Sequence, residues 1–321
     1  MSRALDRKHK RGYQIIAFSK SSCFISLCLS LMLLVSGCGK TVEASAETAG
    51  VSQVIDTAAL NEGTVSEEVP VATESSIKTG LIAEQILEGK TGIIHYSYYL
   101  PEDYDESRKY PLMMTMPGYD MMWFGEDSSG NNLNWRGFLC WTELPEDMIV
   151  VSAQLEDWGE TSARQAIELT EYFINHYSVD TDRVYASGYS AGGETMSQAV
   201  SMRPDIYAAY LHGASQWDGE YAPIAENTVS VYIFMAENDE YYGSRRAREA
   251  YEHLYDAYRK AGWSDDDISQ MLQIRTPDDE WFAEHGVTSN YHGGGNVVFE
   301  EDDILKWVVG HYKNEIETTI N

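Results

Sequence analysis

The sequence is poor in cysteine, proline, basic residues and long apolar runs, and each shortage excludes something. Of 321 residues only four are cysteine and eight are proline. Outside the first forty residues Cys140 stands alone, so no intrachain disulfide can hold the body and its stability must come from a packed core. No apolar run reaches the roughly 20 residues of a transmembrane helix, which excludes a polytopic membrane protein. Cys-x-x-Cys, His-Glu-x-x-His and Walker loops are absent, and so is any repeat of about 20–50 residues, so nothing calls for a cofactor or a metal. Basic residues number 23 against 51 acidic ones, for a formal charge of −28. Residues 1–37 carry +5 of it, through Arg3, Arg7, Lys8, Lys10, Arg11 and Lys20 against Asp6, which leaves −33 on the other 284 residues. A body that acidic repels phosphate backbones and argues against nucleic-acid partners. The hydrophobic fraction of 43% and charged fraction of 23% are those of a globular protein.

What is present begins with an address. The basic start leads into thirteen mostly apolar residues, Cys23 to Val35, too short to span a bilayer and suited to a signal-peptide core. Val35-Ser-Gly-Cys38 follows, and it resembles the lipobox of bacterial lipoproteins. That resemblance implies a signal peptide over 1–37, lipidation of Cys38, and an extracytoplasmic body held to the membrane through the lipid alone. Residues 38–80 contain no aromatic residue and no sustained period, and read as a flexible tether. Residues 81–321 read as one catalytic domain.

In that body apolar runs alternate with helical stripes. Strands are expected at Ile93–Leu100, Pro111–Met116, Asp147–Ser152, Asp182–Ser187, Tyr207–Leu211, Val229–Met235 and Met271–Ile274. Helices are expected at Thr161–Tyr177, Ala191–Met202, Ser244–Ala261 and from Ile304 to Val309, where apolar residues recur at i, i+3 and i+4. Such alternation predicts an α/β domain with a mostly parallel central sheet and helices on both faces.

Chemistry enters at Val184-Tyr-Ala-Ser-Gly188-Tyr189-Ser190-Ala191-Gly192-Gly193, a Gly-x-Ser-x-Gly motif between an expected strand and an expected helix. A serine at a sharp strand-to-helix turn needs a strained backbone and neighbours without bulk, and the helix behind it aims N–H groups at a developing oxyanion. Around this motif the chain resembles the α/β-hydrolases. More narrowly it is similar to secreted polyhydroxybutyrate-depolymerase-like and feruloyl-esterase-like enzymes, and to prolyl-oligopeptidase-type hydrolase domains. The resemblance spans roughly Thr91 to Tyr312 and is strongest over Asp180–Gly193.

That resemblance implies the chain order Ser, acid, His. Ser190 is then the nucleophile. Asp239, in the loop after Val229–Met235, matches the acid position, with Glu237 and Glu240 as rivals. His292, in a glycine-rich loop before the last helix, matches the base, with His285 as its rival. The oxyanion hole would use the backbone N–H groups of Ala191 and of Tyr119, in Pro117-Gly118-Tyr119, where relatives usually carry His-Gly. Trp123 and Trp217, on aromatic-rich loops at the same sheet edge, are expected to touch substrate. The activity implied is cleavage of carboxylic esters, on small molecules or on acyl groups of polysaccharide. The alternatives are a prolyl-oligopeptidase-type peptidase and a non-enzymatic surface lipoprotein that binds carbohydrate or peptide. Cys140 is expected as a buried hydrophobe, and Asp265–Asp267 and Glu300–Asp303 as helix-capping or solvated charge, with a cation site as the alternative.

Overall fold

A computed structural model describes residues 78–125 and 131–313. The signal, lipobox and most of the tether lie outside the described residues. Eight strands run in chain order: β1 (Gly80–Gly89), β2 (Gly92–Leu100), β3 (Tyr110–Met116), β4 (Ile149–Gln154), β5 (Val179–Tyr189), β6 (Ala209–Gly213), β7 (Ser230–Phe234) and β8 (Leu272–Arg275). They form one sheet in the order β1-β2-β4-β3-β5-β6-β7-β8. β1 and β2 pair antiparallel with each other, as do β2 and β4, and every pairing from β4 through β8 is parallel. The helices are α1 (Arg136–Thr142), α2 (Glu160–His176), α3 (Ala191–Met202), α4 (Ala222–Glu226), α5 (Ser244–Ala261), α6 (Asp265–Met271), α7 (Asp279–Glu284), α8 (Tyr291–Gly294) and α9 (Asp302–Val309).

The central strands β3 to β6 are buried on both faces for most of their length, and successive side chains point to opposite sides of the sheet. Met114, Val151, Ala186 and Val231 enter one core, with Ala166 of α2, Met196 of α3 and Leu254 of α5. Met113, Val150, Tyr185 and Leu211 enter the other, with Phe138 of α1, Phe282 of α7 and Ile304 of α9. Cys140 is buried in the second core, and burial pushes its thiol well above the ordinary range. It has the environment of a small hydrophobe. Ser264 and Asp267 form a capping box on α6, so the acidic run there closes a helix end.

β1 departs from expectation. Gly80–Gly89 carries Ala, Glu, Gln and Leu, residues at home in a helix, and its sequence predicts no strand. Pairing with β2 overrides that propensity. The register slips between Ile82 and Gln85, where Glu84 takes φ 54°. Strands β4 and β6 each begin two residues later than the apolar runs suggested, Asp147-Met148 and Tyr207-Ala208 leading into them without strand pairing. The short helices α1, α4, α6, α7 and α8 carry too few turns to leave a periodic signal.

The carboxyl ends of β3, β5 and β7 point to one edge of the sheet, where open α/β sheets receive ligands.

Candidate active site

Ser190 stands between the end of β5 and the first residue of α3, at φ 54° and ψ −125°. A non-glycine residue there costs on the order of 1–3 kcal/mol and persists only when its surroundings hold it. Here the Ser190 N–H donates to Gly213 O at 3.0 Å, and the Ser190 carbonyl accepts the Ser215 hydroxyl at 2.7 Å. The two motif glycines are needed for backbone approach. A Cβ on Gly188 would stand 2.5 Å from Gly192 O, and one on Gly192 would stand 2.4 Å from both Met116 O and Pro117 O. The turn is therefore wedged against the end of β3, and no side chain fits between.

From Ser190 a chain of hydrogen bonds runs through two other loops. Ser190 Oγ lies 2.9 Å from His292 Nε2, and His292 Nδ1 lies 2.8 Å from Asp239 Oδ2. The neutral tautomer that satisfies both bonds carries its proton on Nδ1 and leaves Nε2 free to accept from the serine. Asp239 has a fully buried side chain, and its Oδ1 accepts the N–H groups of Tyr241 at 2.9 Å, Tyr242 at 2.7 Å and Gly243 at 3.3 Å. Burial pushes the Asp239 carboxyl up, but the bonds from His292 and from the Tyr242 and Gly243 amides outweigh it and hold it below the ordinary range. It stays ionised, able to orient the imidazole and stabilise an imidazolium.

The rivals fall elsewhere. Glu237 is half exposed and lies 4.0 Å from Arg248. His285 stacks on Trp281 and faces Glu301 at 3.2 Å. Glu240 takes a role that sequence reasoning missed: its two carboxylate oxygens accept the N–H groups of Tyr291 and His292, each at 3.0 Å. It fastens the histidine loop to the acid loop without touching the ring. The Tyr189 hydroxyl donates to His292 O from below.

Gly118 packs against the serine, a Cβ there lying 3.4 Å from Ser190 Cβ. Tyr119 opens a 3-10 turn, Tyr119–Met121, directly after it, and Ala191 opens α3. Both residues line the cleft beside Ser190. Neither backbone N–H donates to an acceptor among the described residues, so both are available to a ligand oxygen.

The cleft measures about 570 Å³, and its aromatic lining is Tyr119, Trp135, Trp158, Tyr189, Tyr241 and Tyr242. Trp123 and Trp217 are absent from that lining, which corrects the expectation for both. Trp123 lies flat on His95 with ring centroids 3.5 Å apart, turned toward β2. Trp217 donates its indole N–H to Gly219 O at 2.8 Å and packs among Tyr210, His212 and Tyr221 against the first core. Each occupies a loop at the expected sheet edge, but packing turned its ring away from the cleft.

The fold agrees with known structures. A thermostable esterase superimposes with a TM-score of 0.59 at 18% identity, covering 72% of this chain and 62% of that one. The chain has the α/β-hydrolase fold. Two further structures match with TM-scores of 0.50. One is an assigned dipeptidyl aminopeptidase IV from Bacteroides ovatus, at 13% identity over 72% of this chain and 36% of that one. The other is a puromycin-hydrolyzing peptidase of Mycobacterium tuberculosis, at 14% identity over 71% of this chain and 39% of that one. The chain thus spans about three fifths of the esterase's length and little over a third of either peptidase's. Residues 152–266 match the prolyl oligopeptidase family. That match contains Ser190 and Asp239 and stops short of His292. No curated protein matches the sequence. On this α/β-hydrolase framework, a serine, a histidine and a buried aspartate in hydrogen-bonded line form the residue arrangement of a serine hydrolase.

Proposed function

We propose that the chain is a serine hydrolase that cleaves carboxylic esters through an acyl-enzyme. The observation that carries this reading is the hydrogen-bonded line from Ser190 through His292 to Asp239, opening into an apolar-walled cleft. Ser190 Oγ attacks the acyl carbon as His292 Nε2 takes its proton, and Asp239 holds the ring and offsets the imidazolium charge. The N–H groups of Tyr119 and Ala191 receive the oxyanion, assisted by the positive end of α3. His292 then returns the proton to the leaving alcohol. In the second half a water attacks the acyl-enzyme with His292 again as base, and Ser190 is regenerated. No step requires a cofactor or a metal.

Support for esters over peptides comes from the thermostable esterase, the likeness with the higher TM-score. The prolyl oligopeptidase match keeps peptide cleavage as the second reading. The acyl group and the alcohol, whether a small molecule or a polysaccharide, belong to the proposal. So does the address: Val35-Ser-Gly-Cys38 supports an extracytoplasmic enzyme anchored by lipid on Cys38.

A fluorophosphonate probe tests the enzyme reading directly. It should label the wild-type chain and leave Ser190→Ala unlabelled. A panel of short p-nitrophenyl esters, feruloyl and acetyl-sugar esters and proline-containing peptides then ranks ester against peptide. Faster turnover of the peptides would overturn the ester assignment. Loss of palmitate labelling in Cys38→Ala is expected, and labelling that persists would remove the anchor.

A further inference from the structure

Glu194 lies on the first turn of α3, four residues after the serine, and lines the cleft although it is only 6% exposed. Its Oε1 accepts the Tyr242 hydroxyl at 2.5 Å. The ring of Tyr242 in turn stands 5.5 Å from the ring of His292, and Tyr242 lines the cleft beside Ser190. The carboxylate is thus one phenol away from the reacting atoms.

The second oxygen, Oε2, is the unexplained group. Among the described residues no side chain or backbone N–H donates to it, and no Lys, Arg or His forms an ion pair with it. Oε2 is not sealed from solvent, and Glu194 lines the cleft. The donors nearby are committed elsewhere. Arg246, whose charge acts on Glu194, donates to Gln216 Oε1, the Arg136 guanidinium pairs with Glu143 at 2.5 Å, and the Asn296 amide donates to Gly293 O at 3.0 Å. A nearly buried carboxylate with one oxygen unserved is costly unless a donor arrives. Holding Tyr242 in place needs an acceptor, not a charge, and Gln would serve that purpose.

We propose that Glu194 is a specificity-determining residue whose Oε2 accepts a hydroxyl carried by the substrate close to its scissile ester. The inference rests on the hydrolase reading and refines its substrate class to hydroxylated esters. An ammonium carries three donors and calls for several acceptors, whereas a hydroxyl carries one donor and needs only the single Glu194 oxygen. The walls suit the same ligand. Tyr119, Trp158 and Tyr241 stand 53%, 42% and 74% exposed at the cleft mouth, ring faces able to pack the C–H side of a neutral hydroxylated group. Trp158 is tied to the same helix turn, because the Gln198 amide donates to both Trp158 O and Glu194 O at 3.1 Å.

The test compares isosteric esters by pH-stat, each rate divided by its hydroxide-catalysed rate. The acyl arm uses ethyl propionate, ethyl glycolate and ethyl glycinate; the alcohol arm uses propyl acetate and 2-hydroxyethyl acetate. In the wild type, hydroxyl over methyl should be favoured by about tenfold in kcat/KM in at least one arm, the yield of one hydrogen bond to a charged group. Glu194→Gln can keep an oxygen on Tyr242 and replaces the charged acceptor by a neutral amide, whose weaker bond to a hydroxyl should lower the same ratio severalfold. A wild-type ratio near one in both arms overturns the proposal. So does a ratio left intact in Glu194→Gln, or a preference for glycinate over glycolate. Absence of turnover on every ester, with no fluorophosphonate label on Ser190, sinks the hydrolase reading itself, an outcome distinct from all three.

Discussion

Replacing His212 by Gln should remove a large part of the protein's sensitivity to acid. His212 is a fully buried side chain of β6, beneath the serine turn. Its Nε2 lies 3.2 Å from Ser215 O and its Nδ1 lies 2.8 Å from the Tyr210 hydroxyl, so the neutral ring carries its proton on Nε2. Burial pushes its pKa down to about 4, against the weaker upward pull of the Ser215 carbonyl. In the unfolded chain the same imidazole titrates at about 6.5. Between those values the unfolded state binds the extra proton, so stability is full above about pH 6.5 and is lost as pH falls toward 4. The loss is about 2 kcal/mol by pH 5 and about 3 kcal/mol by pH 4, figures good to order of magnitude. Urea unfolding of wild type and His212→Gln at several pH values reads the effect as a difference. At neutral pH the variant should be the less stable by about 1–2 kcal/mol, for an imperfectly replaced hydrogen bond. The gap should close or invert as pH drops to about 4.5. Two curves that stay parallel over that range would refute a buried neutral histidine.

The other expectations concern the serine's surroundings. Ser190→Ala and His292→Ala should each lose on the order of 10³–10⁶ in kcat, and the double variant should be scarcely worse than either, because the three groups act as a unit; losses that multiply would separate them. Asp239→Asn should lose less than Ser190→Ala, and His285→Ala, which alters a side chain held by Trp281 and Glu301, should stay within about tenfold of wild type; a dead His285→Ala would reassign the base. Gly192→Ala puts a Cβ 2.4 Å from two carbonyl oxygens at the end of β3, so its midpoint in thermal unfolding should drop by several degrees with loss of probe labelling, and an unchanged midpoint would contradict the close approach. In kcat/KM an acid limb is expected, since a protonated imidazole cannot accept the Ser190 proton; a profile flat down to about pH 4.5 would exclude a histidine base.

The α/β alternation, the doubly covered sheet and the strand-turn-helix setting of Ser190 were legible in the residues themselves. They are written in local patterns. Buried strands are unbroken apolar runs, α2 and α5 show their stripes, and a glycine two places either side of a serine reports a turn without room for side chains. The chain order and loop positions implied by the resemblance to α/β-hydrolases then pointed to Asp239 and His292 among many acids and eight histidines. Tertiary structure decided which side chains face the cleft. A loop residue's direction depends on contacts far away in sequence. Trp123 turned to His95 of β2 and Trp217 to the first core, while Trp135 and Trp158 took the cleft wall. Glu240 looked like a competing acid. It became a clamp because the backbone N–H groups of Tyr291 and His292, about fifty residues on, fold back to within 3.0 Å of its oxygens. Glu194 carried no signal at all, one acid among 51, until folding buried it beside Tyr242 and left one oxygen open. Burial and long-range pairing set what an ionisable group can do, and a one-dimensional pattern holds neither.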